Sequence, residues 1–419
     1  MTKDFLYFPR HSISRAAFHE SVQTCMAEFK LHQQVFIKTP SLPVLYAALI
    51  AAKELNISLY LCPPTLSGDQ VTKLLTDKQI SLYLGDEKQE FPASTAETPP
   101  FLGIFTSATT GEPKIALHRW EAVESSAFFV PPALHGKTWL LSYAPWGYAG
   151  IQVFFAAYNT QGAIYYGENH FEQIASDLLK YQVEIISATP TFWRMLITAW
   201  PPQLARPSLL QATMGGEIVD QSTIDLIDTF FHPLHLTHIY ASTEAGSAIV
   251  VSDRKAGFPT SFLGKTSKSG TELRITKDQE LEVRSPQCME GYLHASSSTK
   301  DQWIATGDLV EIKDARVYFV GRKDGRINTG GRKVSPEEIE QAIKSLPEIE
   351  DCLVYEQKSA LVGALIAADV MMVPEALFDE TLIKQKLKQI LEDYKVPHLI
   401  RRVNHFAISS NGKKIRHIS

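Results

Sequence analysis

Residues 101–114 read FLGIFTSATTGEPK. Phe101 to Phe105 form a short apolar run that suits one buried strand, and a polar loop follows at once. That loop, Thr106, Ser107, Ala108, Thr109, Thr110, Gly111, Glu112, Pro113 and Lys114, combines four hydroxyl residues with a glycine, a proline and a lysine. A loop of this kind can wrap phosphate oxygens with backbone N–H and side-chain O–H groups, and Lys114 can add a positive charge. The GxxxxGK[ST] spacing of a Walker A loop is missing. Read alone, the segment serves equally well as a polar surface turn.

The strand at 101–105 belongs to a longer alternation. Upstream, an amphipathic helix is expected over 11–30, a strand over Val35 to Lys38 and an apolar helix from Leu42. A strand follows at Ser58 to Cys62, then a helix from Asp69 and a strand near Ser81. Downstream, strands are expected at Thr138–Ser142, Ala163–Tyr166, Glu184–Ser187, Leu209–Met214 and Leu236–Tyr240. Helices lie between them, at Phe171–Lys180 and Thr191–Ala199 for example. Strands alternating with helices indicate a parallel sheet covered on its faces. From about 249 to 320 strands shorten and turn residues multiply, which suggests a β-rich subdomain. A compact α+β unit follows the charged turn at 323–326. It reads as a helix at Pro336–Leu346, strands at Asp351–Tyr355 and Leu361–Ala367, a long helix at Glu380–Tyr394 and a strand at Arg401–Phe406. The fold class is therefore α/β: a large N-terminal domain over 1–323, with layered α/β subdomains and a β-rich one, and a small mobile α+β C-terminal domain over 324–419.

Composition excludes several functions. The chain has 419 residues and a formal charge of −5, a mild value that argues against nucleic-acid or membrane-surface partners. Cys25, Cys62, Cys288 and Cys352 are far apart and form no CxxC pair, so free thiols in a reducing cytoplasm are expected. The opening MTKDFLYFPRHS lacks the apolar core of a signal peptide. The apolar run Val44 to Ala52 is too short to span a bilayer and reads as a buried helix.

Other motifs close the predicted strands. Met214-Gly215-Gly216-Glu217 ends one, and its glycines let a flat ring or a backbone come close. Tyr240-Ala241-Ser242-Thr243-Glu244 ends the next, at the strand edge where open α/β sheets bind ligands. Tyr240 can stack on an adenine, and Glu244 can ligate Mg²⁺ through oxygen. Asp308 offers a carboxylate for ribose hydroxyls, and Arg322 a guanidinium for phosphate or ribose. Each also has a plain structural reading, as a capped turn, an ion pair or a packed ring.

Taken in order, these segments resemble the adenylate-forming superfamily of acyl-CoA synthetases, luciferases and peptide-synthetase adenylation domains. Residues 394–403, YKVPHLIRRV, are similar to its C-terminal YKVP segment, and Asn411 to Arg416, NGKKIR, to its terminal GK-x-x-R motif. Residues 321–340 resemble its interdomain hinge. The resemblance implies ATP-dependent activation of a small carboxylic acid, with Mg²⁺, and transfer to CoA or to the phosphopantetheine of an acyl carrier protein. By the same resemblance, Thr106, Ser107, Thr109, Thr110, Gly111 and Lys114 would hold the β- and γ-phosphates. Gly215, Gly216, Glu217, Tyr240 and Ala241 would line the adenine pocket. Thr243 would touch the α-phosphate, Glu244 would hold Mg²⁺, and Asp308 with Arg322 the ribose. Lys413 would bridge carboxylate and phosphate, Asp324 would be the hinge, and Gly331 would lie along the thiol tunnel.

The pattern is departed from in places. Ala108 and Ala241 stand where the superfamily usually has glycine, which restricts the backbone wherever φ is positive. The front segment is also short, and an open acid pocket or a homodimer contact would compensate. With three residues after Arg416, no fused carrier domain is expected. The acid pocket is expected near Trp146, Tyr148 and Gly215. No aspartate lies between Trp139 and Tyr158 to hold an α-amine, which disfavours an amino acid and leaves an aryl acid ahead of a fatty acid. Three readings stay open: an acyl- or aryl-CoA ligase, a stand-alone carrier-protein loader, and a nucleotide-binding scaffold of weak activity.

Overall fold

A computed structural model describes residues 4–71, 81–85, 88–91, 99–106, 114–125, 130–167, 170–293, 302–329, 332–359, 363–409 and 413–416. Among these, the large lobe holds three sheets. Strands Gln34–Lys38, Ser58–Cys62 and Leu102–Thr106 run parallel in the first, and Lys114–His118 returns antiparallel beside Leu102–Thr106. The second runs from Gly246–Val251 through His235–Ser242, Gln211–Gly215, Val183–Ala188, Thr138–Leu141 and Ala163–Tyr165 to the N-terminal Leu6–Tyr7 and Ser12–Ile13.

The expected alternation is therefore split between two sheets. Helices Leu42–Glu54 and Tyr148–Asn159 lie in a core that draws residues from both. The first helix is apolar nearly all round and carries Pro43 in its first turn, which suits a buried helix. Its Tyr46 stacks on Phe154 of the second, with ring centroids 4.0 Å apart.

The third sheet is antiparallel, in the order Phe258–Pro259, Arg316–Arg322, Ile304–Lys313, Glu280–Arg284, Glu272–Ile275. Gly246–Val251 pairs with His235–Ser242 in the second sheet, and Gly291–Tyr292 pairs with Lys114–His118 in the first. Within the chemistry-rich region, this last pairing brings a segment from the β-rich stretch back beside the front loop.

The C-terminal lobe has its own core and a three-stranded sheet of Ile349–Ser359, Gly363–Met372 and Leu399–Arg402. Helix Pro336–Lys344 packs on it. The long helix expected at Glu380–Tyr394 ends at Leu387. Hydrogen bonds there tighten to i−3, from Gln389 N to Lys386 O and from Ile390 N to Leu387 O, and a separate 3₁₀ turn spans Asp393–Lys395. The last strand is Leu399–Arg402 rather than Arg401–Phe406. All four cysteines are free thiols. Among the described residues, no helix is long and apolar enough to cross a membrane.

Candidate active site

Strands Gln211–Gly215 and His235–Ser242 are parallel neighbours, with Gly215 opposite Ile239, so their C-terminal ends open on the same edge. A cleft of about 1630 Å³ lies there, lined by both lobes. Tyr240 stacks on Phe319 of strand Arg316–Arg322, with centroids 4.6 Å apart and planes 19° from parallel. Its hydroxyl donates to Asp308 Oδ2 at 2.5 Å. Asp308 faces Arg322 across the antiparallel pair, with Arg322 Nη1 3.4 Å from Oδ1. Burial raises the Asp308 carboxyl above its usual range, although Tyr240 and Arg322 pull it down. Burial and then Asp308 raise the Tyr240 hydroxyl far above 10. Arg322 also holds Asp324 at 2.9 Å. Glu280, buried beneath, accepts from Gly307 N and from Lys323 Nζ, each at 3.0 Å, and fixes the turn that carries Asp308.

On the other side, Thr106 and Lys114 face each other at the mouth of a hairpin. Ser107, Ala108, Thr109, Thr110 and Gly111 lie outside the described residues. Lys114 Nζ sits 5.3 Å from the ring centre of Tyr292, whose hydroxyl donates to Glu244 Oε1 at 2.8 Å. Burial, followed by Glu244, raises the Tyr292 hydroxyl well above its ordinary value. Thr243 and Glu244 line the cleft. Ala241 is not among the residues of positive φ, so its methyl group strains no backbone.

At the end of the cleft where the acid pocket is expected, Gly216 has φ +84°, a conformation that favours glycine, and a Cβ there would stand 3.5 Å from Lys413 Cε. Tyr143, Tyr148 and Gly215 line the wall. Tyr148 lines the cleft, its ring centre lies 5.4 Å from that of His118, and burial raises its hydroxyl above the ordinary tyrosine range. Burial pushes His118 down to about 4, so this imidazole is neutral near pH 7. Trp146 is half-buried against the first core and does not line the cleft. Glu217 lines it but also accepts from Thr191 N at 3.0 Å, which fixes the helix start beneath.

Lys413 reaches this cleft from the C-terminal lobe, close enough for its charge to lower the Asp308 carboxyl. The two lobes meet through a buried ion cluster that sequence reading missed. Asp220 caps helix Gln221–Phe231 by accepting from Thr223 N at 2.8 Å. It also takes Arg194 Nη2 at 2.9 Å and, from the opposite lobe, Lys344 Nζ at 2.5 Å. Burial alone would raise the Asp220 carboxyl, but Lys344 and Arg194 overcome it and hold it far below the usual range. The depressed pKa means that the contact is complete above the ordinary aspartate range and is lost only as pH falls well below it.

Lys344→Met should therefore favour lobe opening by up to about 3 kcal/mol, the low end for breaking a buried pair, because Arg194 still partners Asp220. Small-angle scattering should report a larger radius of gyration for the variant at neutral pH. An unchanged scattering curve would remove this pair from the closing contacts.

Phe319, Tyr292 and the Asp220 cluster carried no sequence signal. Each is an ordinary residue type that joins the cleft or the lobe contact only through what folds against it.

The sequence family described as AMP-binding enzyme matches residues 28–295. The chain belongs to the AMP-binding enzyme family. The AMP-binding enzyme C-terminal domain matches residues 338–413, up to and including Lys413. Among relatives, this AMP-binding enzyme is 26% identical to a 2-succinylbenzoate–CoA ligase of Listeria innocua over 328 residues, covering 74% of this chain and 67% of that one. It is 25% identical to a protein of the same name from Lactococcus lactis over 407 residues, covering 89% of this chain and 86% of that one. The o-succinylbenzoate CoA synthetase of Bacillus subtilis, solved with its acyl-adenylate intermediate, shares the fold. It superposes with a TM-score of 0.72 at 17% identity and covers 99% of this chain and 94% of that one. Family and fold together place the chain in the adenylate-forming superfamily.

Proposed function

We propose that this enzyme couples a carboxylic acid to AMP at the expense of ATP, releases pyrophosphate, and passes the acyl group to the thiol of CoA. The observation that carries the reading is the convergence of Lys413 from one lobe with Gly216, Thr243, Glu244, Asp308 and Arg322 from the other on one cleft.

A carboxylate is a poor acyl donor because its oxygen leaves badly. Its oxygen attacks the α-phosphorus of ATP, the bond to the β-phosphate bridging oxygen breaks, and pyrophosphate leaves with the electron pair. Two anions must approach, so the barrier is largely electrostatic. Lys413 lies between the acid end and the nucleotide end and offsets that repulsion. Tyr240 and Phe319 supply an aromatic wall for adenine. Asp308 accepts from the ribose hydroxyls, with Arg322 beside it. Thr106 and Lys114 hold the outer phosphates, together with the loop between them.

The donor set fits Mg²⁺ held jointly with phosphate. Glu244 offers one carboxylate, steadied by Tyr292, and among the described residues no group of three or more His, Cys, Asp or Glu side chains forms a cage of its own. Bound there, the ion would neutralise phosphate charge as the α-phosphorus is attacked.

The second half-reaction needs a different surface over the adenylate. The small lobe, taken as 324–419, turns about Asp324 beside Gly325 to provide it. Gly331, which lies outside the described residues, is assigned to the thiol path. An aryl acid is favoured by the aromatic wall of Tyr143 and Tyr148 and by the two relatives named for 2-succinylbenzoate.

Incubating the enzyme with ATP, MgCl₂ and CoA over a panel of aryl, short-chain and long-chain acids should yield an aryl-CoA ester by mass spectrometry. Acyl-AMP without CoA ester, followed by loading of a phosphopantetheinylated carrier, would replace CoA with a carrier protein as acceptor.

A further inference from the structure

Resting on the reading of Lys413 given above, we propose that Lys414 and Asp351 form a positioning pair that aims Lys413 into the cleft. The terminal segment has little backbone to hold it. It is tied by an isolated bridge between Ile408 and Lys414 and by hydrogen bonds from Ser409 N to Lys413 O at 2.8 Å and from Ile415 N to Ala407 O at 2.9 Å. Its side chains alternate, as in an extended chain. Lys413 and Ile415 are exposed, whereas Lys414 and Arg416 turn into the small lobe.

Lys414 enters a built socket. Its Nζ lies 2.5 Å from Asp351 Oδ1 and 2.8 Å from Cys352 O, and sits over the Phe406 ring at 4.7 Å. The Asp351 side chain is only 4% exposed and that of Lys414 12%. Two residues on, Arg416 takes Glu337 at 2.9 Å and Glu340 at 3.0 Å, and donates to Val354 O. Both cations therefore grip the same strand, Ile349–Ser359, and Arg416 also holds helix Pro336–Lys344. Because successive side chains point to opposite sides, fixing Lys414 inward forces Lys413 outward, toward Gly216 and Asp308. A buried charge pair suits this task because displacing Lys414 from its socket would leave Asp351 buried without its ion-pair partner.

The two half-reactions separate positioning from support of the lobe. Lys414→Met should slow acid-dependent ATP–pyrophosphate exchange on the order of 10- to 100-fold, the scale of a small misplacement of a reacting group. Conversion of synthetic acyl-AMP and CoA to thioester, which needs no Lys413, should stay within about twofold. Asp351→Asn should do the same, and Lys414→Arg should restore exchange. Equal loss of both half-reactions in Lys414→Met would overturn the inference, because the pair would then merely support the lobe. Unchanged exchange in Lys414→Met, beside abolished exchange in Lys413→Ala, would overturn it as well. Intact exchange in Lys413→Ala would instead strike at the role given to Lys413.

Discussion

Replacing Lys413 with alanine is expected to lower the rate of adenylate formation by about 100- to 1000-fold, the usual cost of losing one well-aimed donor to developing charge. The side chain reaches the floor of the cleft, where a Cβ on Gly216 would stand 3.5 Å from its Cε. It comes from the opposite lobe, so the large lobe alone cannot supply it. The effect should fall on kcat more than on the KM for ATP, since the ammonium acts as the carboxylate and the α-phosphate approach and the repulsion peaks. The second half-reaction begins with the anhydride already made. Thioester formation from synthetic acyl-AMP should therefore survive in the variant. Stopped-flow detection of acyl-AMP and a separate thiol-consumption assay measure the two steps, and equal slowing of both would contradict the assignment.

The second large effect is expected at Glu244. Glu244→Gln removes the charge of the carboxylate proposed to hold Mg²⁺, while Tyr292 can still reach the amide oxygen. The Mg²⁺ concentration for half-maximal rate should rise by at least about tenfold, with a lower rate at saturation. Tyr292→Phe should move the same midpoint by a smaller factor, because it frees Oε1 from its 2.8 Å partner without changing the charge. A Mg²⁺ dependence that is identical in wild type and Glu244→Gln would assign the ion to other ligands.

Several of these residues were legible in the sequence because their chemistry sits in contiguous motifs. Tyr240 to Glu244 closes a strand, Gly215 to Glu217 closes its neighbour, and the parallel register of the two puts both at one edge. The helix at Leu42–Glu54 was also plain, since its apolar run is too long for a strand and too short for a membrane. What periodicity could not reveal is partnership between distant segments. The same strand-and-helix alternation serves one sheet or two, and the split into two depends on which strands pair. Tyr292 meets Glu244 only because Gly291–Tyr292 leaves the β-rich region to pair with Lys114–His118. Phe319 is one aromatic among many until it stacks on Tyr240. Asp220 caps its helix in the structure, and its partner Lys344 arrives from the other lobe, a pairing no local pattern reveals.

The acid pocket shows the limit most clearly. Trp146 and Tyr148 are two residues apart, yet Trp146 lies half-buried against the core and off the cleft, while Tyr148, itself a core residue, lines it. Helix Tyr148–Asn159 begins between them, so the spacing that would pair them on a strand does not apply. Ala241 resolves the other way. Its substitution for glycine suggested strain, but Ala241 is not among the residues of positive φ, so its methyl group strains no backbone there.

Acid activation by a two-lobed cleft is tested most directly by isotope exchange between pyrophosphate and ATP in the purified enzyme, with and without each acid of the panel. Exchange that appears only with a particular acid, aryl ones foremost, and that disappears in Lys413→Ala is the predicted result. Tight ATP binding with no exchange for any acid would contradict it and leave the chain as a nucleotide-binding scaffold.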